Sequence, residues 1–342
     1  MHSTAKERPI LLVGSIPLSS AAEVFEKVSA SLGQLVRRIP DGEIGDRATW
    51  ISWQRHAFKE TKGLIAAGER KGPDGTLYPR YAVESTPAKI EFPALGYARE
   101  ALLSYRIFAG LRDEGKIAVG TRFQASLPTP LAVVFAHVVA DAQRAVWPRY
   151  ESRLFAEVDD MCRDIPHRDL AIQWDIAVEI NGILEVPEVL KRYSWDDVIE
   201  GIARAANRVP EDVELGLHLC YGDPGHKHVL EPRDTGLMVE ISNRLEKAIR
   251  RPITWLHMPV PRDRDDDGYF APLANLRMAT DTELYLGLVH FTDGIDGAKR
   301  RLSTAQKFVK SFGIATECGF GRRPSDTIPA LLSLHREIAA LS

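Results

Sequence analysis

The sequence predicts an α/β protein folded as a single (β/α)8 TIM barrel over residues 1–342, with an elaborated segment after the second strand. Three observations predict it. Eight short apolar runs, at residues 10–16, 35–40, 117–123, 170–176, 213–220, 253–260, 283–289 and 312–318, have the composition of strands buried on both faces, the habit of parallel sheets. Stretches of helical period lie between them, and strands alternating with helices make a parallel sheet. Eight such units are the number that closes into a barrel, and no Gly-x-Gly-x-x-Gly turn marks the alternative, a doubly wound dinucleotide fold.

The helical elements follow in order. Ser20 is placed to cap a helix with Val24, Phe25, Val28 and Leu32 on one face. About seventy residues, 45–115, then separate the second and third strands. A connection of that length carries its own structure or covers a site, and short helices forming a lid or wall are expected. It holds Trp50, Trp53, Pro93 and the turn Lys71-Gly72-Pro73-Asp74-Gly75. Residues 130–162 read as a long helical region broken near Pro148, and 186–209 as another with a break at Ser194-Trp195-Asp196. Asp234 is placed to cap a helix with Leu237, Ile241, Leu245 and Ala248 in register, and residues 297–312 and 325–341 supply the last two helices.

The bulk properties exclude several classes. The chain is 44% hydrophobic and 27% charged, with a net charge of -3. Its length buries a core that needs no disulfide staples. The mixed charge gives no basis for a nucleic-acid or membrane partner, so a small-molecule substrate is expected. Three cysteines, Cys162, Cys220 and Cys318, fit a reducing compartment better than a disulfide framework. Residues 1–9 lack an apolar signal core and no run approaches a membrane span, so the cytoplasm is the expected location.

The chemistry gathers at the ends of the runs. His218-Leu219-Cys220 ends the fifth, and alternate strand residues point the same way, so imidazole and thiol converge. Cys318 ends the eighth, and strand ends of one sense share one face of a barrel. These three make a site for Zn2+ with a fourth position open to substrate or water. The competing reading of the cysteines is core packing. His257, on the sixth run, and Glu240 compete as a fourth protein ligand. Glu240 falls off the apolar face of its helix and should point to solvent, whereas His257 reads equally as a core histidine bonded to backbone.

Other strand ends carry polar groups. Ser15, in Gly14-Ser15-Ile16-Pro17, offers a hydroxyl and backbone amides to an anion. Glu43, in Asp41-Gly42-Glu43, and Asp175 place carboxylates at the same rim; such acids are functional or are partnered by arginines such as Arg37, Arg38, Arg47 or Arg122. His290 and Asp293 follow the seventh run, and either can move a proton, though Asp293 can equally cap a helix. Arg322 and Arg323, after Cys318-Gly319, suit a phosphate or carboxylate.

Taken in order, these motifs resemble the catalytic C-terminal barrel of the cobalamin-independent methionine synthase family, within the methionine synthase and uroporphyrinogen decarboxylase-like superfamily. Gly14-Ser15-Ile16-Pro17 is similar to the family's first-strand turn, and Gly42-Glu43 and Gln173-Trp174-Asp175 to its amine-binding acids. His218-x-Cys220 and Cys318-Gly319 match its zinc motifs. The resemblance implies a zinc-dependent methyl or alkyl transfer to a small thiol, with zinc holding the thiolate and an acid protonating the leaving group. It also implies departures. The family's zinc-ligating Glu is not at its usual place, where His257 stands near, and the folate platform of the full synthase is not identifiable. Two alternatives therefore stand beside alkyl transfer: a zinc-dependent lyase or hydrolase on the same barrel, and a metal-free decarboxylase-like enzyme using Arg37, Arg38, Arg322 and Arg323.

Overall fold

A computed structural model describes residues 7–72, 75–222 and 231–341. Residues 1–6 and Pro73-Asp74 of the expected turn lie outside the described residues. The strands are β1 (Arg38–Pro40), β2 (Leu64–Lys71), β3 (Leu77–Val83), β4 (Arg122–Pro128), β5 (Leu170–Ile176), β6 (Glu214–Leu219), β7 (Trp255–Pro259), β8 (Glu283–Val289) and β9 (Gly313–Thr316). Seven of them form one parallel sheet in the order β1-β4-β5-β6-β7-β8-β9, with helices in the connections. All positions of β5 are buried, as a sheet covered on both faces requires. The architecture is α/β with a curled parallel sheet, consistent with a TIM-like barrel. No helix among the described residues is long and apolar enough to cross a membrane.

The expected first strand is different. The 10–16 run makes single parallel bridges, from Ile10 to both Val36 and Ile314 and from Ser15 to Gly42, and no ladder. Its central carbonyls are engaged by side chains: Gln124 Nε2 donates to Leu12 and Val13, and Gln173 Nε2 and Ser126 Oγ donate to Val13. Polar side chains of β4 and β5 thus satisfy backbone groups that a neighbouring strand would otherwise pair.

Several boundaries move for local reasons. The third strand is β4, five residues beyond the start of the apolar run at 117–123. Gly120, at φ 93, holds a turn there, and pairing starts where Arg122 donates to the Arg37 carbonyl. The break expected at Pro148 falls instead at Val138 and Val139, both extended, and Pro148 sits inside the helix Gln143–Asp164. Ser20 caps its helix as its position suggests, and the break expected at Ser194-Trp195-Asp196 is present, with Ser194 opening the next helix through a full capping box. Asp234 is one residue short of the cap; Thr235 holds that position, and the Asp234 carboxylate accepts from Gly236 N at 2.7 Å.

The 45–115 segment contains more than short helices. A 3-10 stretch Gly45–Gln54 and the helix Arg55–Glu60 precede an antiparallel hairpin of β2 and β3, and the helix Tyr97–Asp113 closes the segment. Glu157 ties it down, accepting from Leu95 N and Ala98 N at 2.8 Å each.

At the N-terminal ends of the strands, Arg38 is buried between Glu214 and Glu283, with its guanidinium 4.3 Å above the Trp255 ring. Its partners open β6 and β8, so one side chain joins three strands.

Candidate metal centre

The strands deliver three soft donors to one point. His218 and Cys220 leave the C-terminal end of β6, and Cys318 follows β9. Their ligand atoms all lie within 4.8 Å of one another. The two sulfurs are 3.9 Å apart and are not joined in a disulfide. Two thiolates on a tetrahedral zinc, with Zn–S bonds of ~2.3 Å, would stand roughly 3.8 Å apart, so the spacing fits that ion. Gly222 N donates to Cys220 Sγ at 3.3 Å.

His257 is not part of this cluster. Its Nδ1 contacts His218 Nδ1 at 2.7 Å and its Nε2 meets the Thr316 carbonyl at 3.0 Å, so both nitrogens are engaged behind the site. Burial holds both imidazoles below their ordinary range, His257 at about 4. His218 Nε2 is buried without a hydrogen-bond partner. A lone pair left bare in a buried cluster with two thiols is the donor a metal ion would satisfy. Glu240 lies on the exposed face of its helix in an ion pair with Arg244, away from the cluster.

The same pocket holds the rim acids. Ser15, Glu43, Trp50, Asp175, Gly319 and Arg322 line it together with the three donors. Glu43 has a left-handed backbone, φ 52, secured by the buried Asp41, which accepts from Glu43 N at 3.0 Å and is itself held by Arg47 and Ser104. Asp41 therefore supports the turn, and Glu43 faces the pocket. Desolvation, then the Asp175 charge, pushes the Glu43 carboxyl up; desolvation raises Asp175 as well. Two acids confined in one pocket are stabilised by a cation between them. Gly321 N donates to Ser15 Oγ at 3.2 Å, and a Cβ on Gly319 would stand 2.3 Å from the same oxygen, so only glycine lets this loop close on Ser15.

Two partners of Asp175 gave no sequence signal for that role. Trp50, at φ 51 within the insertion, hydrogen-bonds Asp175, and Gln173 Nε2 donates to Asp175 at 2.9 Å. A lone aromatic in a long connection has no pattern to reveal it.

The remaining candidates lie elsewhere. His290 and Arg323 line a second cavity of about 490 Å3 that shares Cys318 and Gly319 with the first. There His290 Nε2 meets the Val260 carbonyl at 2.9 Å and stands 3.5 Å from Glu317, while Arg323 lies over Phe291. Asp293 does not reach the pocket. Its two oxygens bind the fully buried Arg301 at 2.6 and 2.9 Å. Burial pushes Asp293 up, but the Arg301 bonds outweigh it and hold the carboxyl below its usual range.

A further buried acid lies outside both cavities. Glu179, opening the π-helical turn Glu179–Leu184, takes a hydrogen bond from Thr129 on one oxygen and has no partner on the other. Burial pushes it up to about 7. An acid with a raised folded pKa destabilises the fold as pH climbs above its unfolded value, and the loss is complete once pH exceeds the folded value. Glu179→Gln keeps the Thr129 contact and removes the titration. It should therefore melt well above the parent at about pH 8, and the difference should shrink as pH falls and vanish below about pH 4. Thermal scans at the two pH values test this; a pH-independent difference would refute it.

No protein-family model matches the chain, and no curated protein does. Solved structures do. A B12-independent methionine synthase from Shewanella sp. W3-18-1, in complex with selenomethionine, aligns over 98% of this chain and 97% of its own, at 14% identity and a TM-score of 0.65. A candidate vitamin-B12-independent methionine synthase from Listeria monocytogenes aligns over 98% and 99%, at 14% identity and TM-score 0.57. A methyltransferase from Methanosarcina mazei aligns over 97% and 94%, at 11% identity and TM-score 0.53. Along nearly its whole length, the chain has a fold similar to that of B12-independent methionine synthase structures, consistent with the resemblance carried by its strand-end motifs.

Proposed function

We propose that the protein is a zinc-dependent alkyltransferase that moves a methyl or other alkyl group onto a small amino-acid thiol. The observation that carries the reading is the convergence of His218, Cys220 and Cys318 in one pocket with Glu43, Asp175 and Ser15. Zinc, when bound by these three residues, supplies a Lewis acid that keeps a substrate thiol ionised. The chain's own groups match the rest of such a substrate. Glu43 and Asp175 hold its ammonium, and Trp50 and Gln173 keep Asp175 aimed. The Ser15 hydroxyl and the Arg322 guanidinium receive its carboxylate. The thiol sulfur forms the new S–C bond while the donor's leaving group departs with the electron pair. His290, beside Glu317 in the adjoining cavity, carries the proton that group needs. The selenomethionine held by the Shewanella protein supports an amino-acid substrate of this kind.

The alternatives lose their footing. The lyase or hydrolase reading drew on the long 45–115 segment, which serves either chemistry, and on a sixth-strand imidazole at the metal, but both His257 nitrogens are engaged elsewhere. The decarboxylase reading needs four arginines together, but Arg37 and Arg38 pair with Glu283 at the opposite end of the strands.

The test is spectroscopic. With cobalt in place of zinc, homocysteine is expected to change the visible absorption of the protein, and to do so at lower concentration than 2-mercaptoethanol, which lacks the amino and carboxylate groups. A spectrum indifferent to both thiols would end the alkyl-transfer reading.

A further inference from the structure

We infer that His257 is a positioning residue for the metal centre: through its Nδ1 it fixes His218 in the tautomer whose Nε2 is free to bind a metal ion. The inference rests on the metal reading of the cluster and not on alkyl transfer.

The argument is a count of protons. The Thr316 carbonyl can only accept, so His257 Nε2, 3.0 Å away, carries a hydrogen. A neutral imidazole has one N–H, so His257 Nδ1 is an acceptor. The 2.7 Å contact between the two Nδ1 atoms holds one proton, which then belongs to His218. That leaves His218 Nε2 as a bare lone pair, and it is the nitrogen of this pair that is buried without a partner. The reverse arrangement fails. A cationic His257 would donate to His218 Nδ1 and move the His218 proton to Nε2, where no acceptor meets it; a buried donor left unsatisfied is costly.

The relay is built into the sheet. His218 and His257 are register partners on β6 and β7, and Thr316 ends β9, two residues before Cys318. The Thr316 hydroxyl donates to the Cys318 carbonyl at 2.6 Å. One short segment therefore supplies a thiol ligand and anchors the imidazole ligand through His257. His257 takes part as the hydrogen-bond partner of a ligand, a role that commonly sets ring orientation and basicity.

Two variants and one spectrum test it. His257→Asn keeps an oxygen near the place of Nδ1, whereas His257→Leu keeps bulk and removes the acceptor. Zinc affinity, measured by competition with a chromophoric chelator, should fall about ten- to a hundredfold in the Leu variant and stay near the parent value in the Asn variant. A Leu variant as tight as the parent overturns the inference. So does an Asn variant as weak as Leu, the pattern expected of a direct ligand. Should the Leu variant not fold, nitrogen NMR of histidine-labelled parent protein decides. His257 protonated on Nε2 and His218 on Nδ1 support the relay, and the opposite tautomers overturn it. A parent that binds no zinc overturns the metal reading and this role together. Zinc binding without a thiol response ends only the alkyl-transfer reading.

Discussion

Replacing Cys318 with serine is expected to empty the metal centre. Tag-free protein purified without chelator should carry about one zinc per chain, and Cys318→Ser close to none. Structural zinc sites draw ~10–16 kcal/mol from four ligands, so one thiolate is worth roughly 3 kcal/mol, or more than a hundredfold in affinity. Among the described residues three protein donors meet here, and with so few each loss is harder to absorb. Cys162 is the internal control. It sits on the helix Gln143–Asp164, outside the cluster, and burial pushes its thiol up to about 11, away from ligand chemistry. Cys162→Ser should retain the metal. Elemental analysis by plasma mass spectrometry on the three proteins settles it. Equal zinc in parent and Cys318→Ser would remove Cys318 from the site. No zinc in the parent after reconstitution would return the cluster to core packing.

The second large effect is on stability, at the other end of the strands. Arg38→Met should destabilise the fold by ~3 kcal/mol, because removing one member of a buried ionic group strands the others. Glu214 and Glu283 lose their shared guanidinium, and the Trp255 ring loses the cation above it. At ~2–4 °C per kcal/mol, the melting temperature should fall by roughly 6–12 °C. The neighbouring Arg37 also pairs with Glu283, but its side chain is half exposed, and Arg37→Ala should cost about 1 kcal/mol or less. Thermal melts of the two variants separate a strand-joining cation from a surface one. Equal melting temperatures would show that burial of Arg38 does not govern its contribution.

What could be read in advance follows from pattern physics. The 170–176 and 283–289 runs coincide with β5 and β8 because nearly every position there is buried, which leaves a continuous apolar signal. The meeting of His218 and Cys220 was legible because strand residues alternate, and that of Cys318 because parallel strand ends share a face. β4 was misplaced because Gln124 and Ser126 serve backbone carbonyls inside the sheet, which breaks its apolar run. β2 left no trace because its side chains are largely exposed and its pairing partner is local. The direction of His257 depends on a carbonyl fifty-nine residues away, a distance no spacing rule spans.

The seam at the 10–16 run has a consequence for biosynthesis. Ile10 bridges Ile314, and Leu11 N donates to the Ile314 carbonyl, so the first described strand-like segment meets one of the last pieces of chain. Contacts so distant in sequence form late, after the entropy of a long loop has been overcome. During translation, the Ile10 and Ile16 amides find the Leu35 and Gly42 carbonyls close by in sequence, but the side of the segment that meets Ile314 through the Leu11 amide stays uncovered until β9 has left the ribosome. That interval, rather than any weakness of the finished molecule, is when the nascent protein is most open to aggregation and most dependent on chaperones.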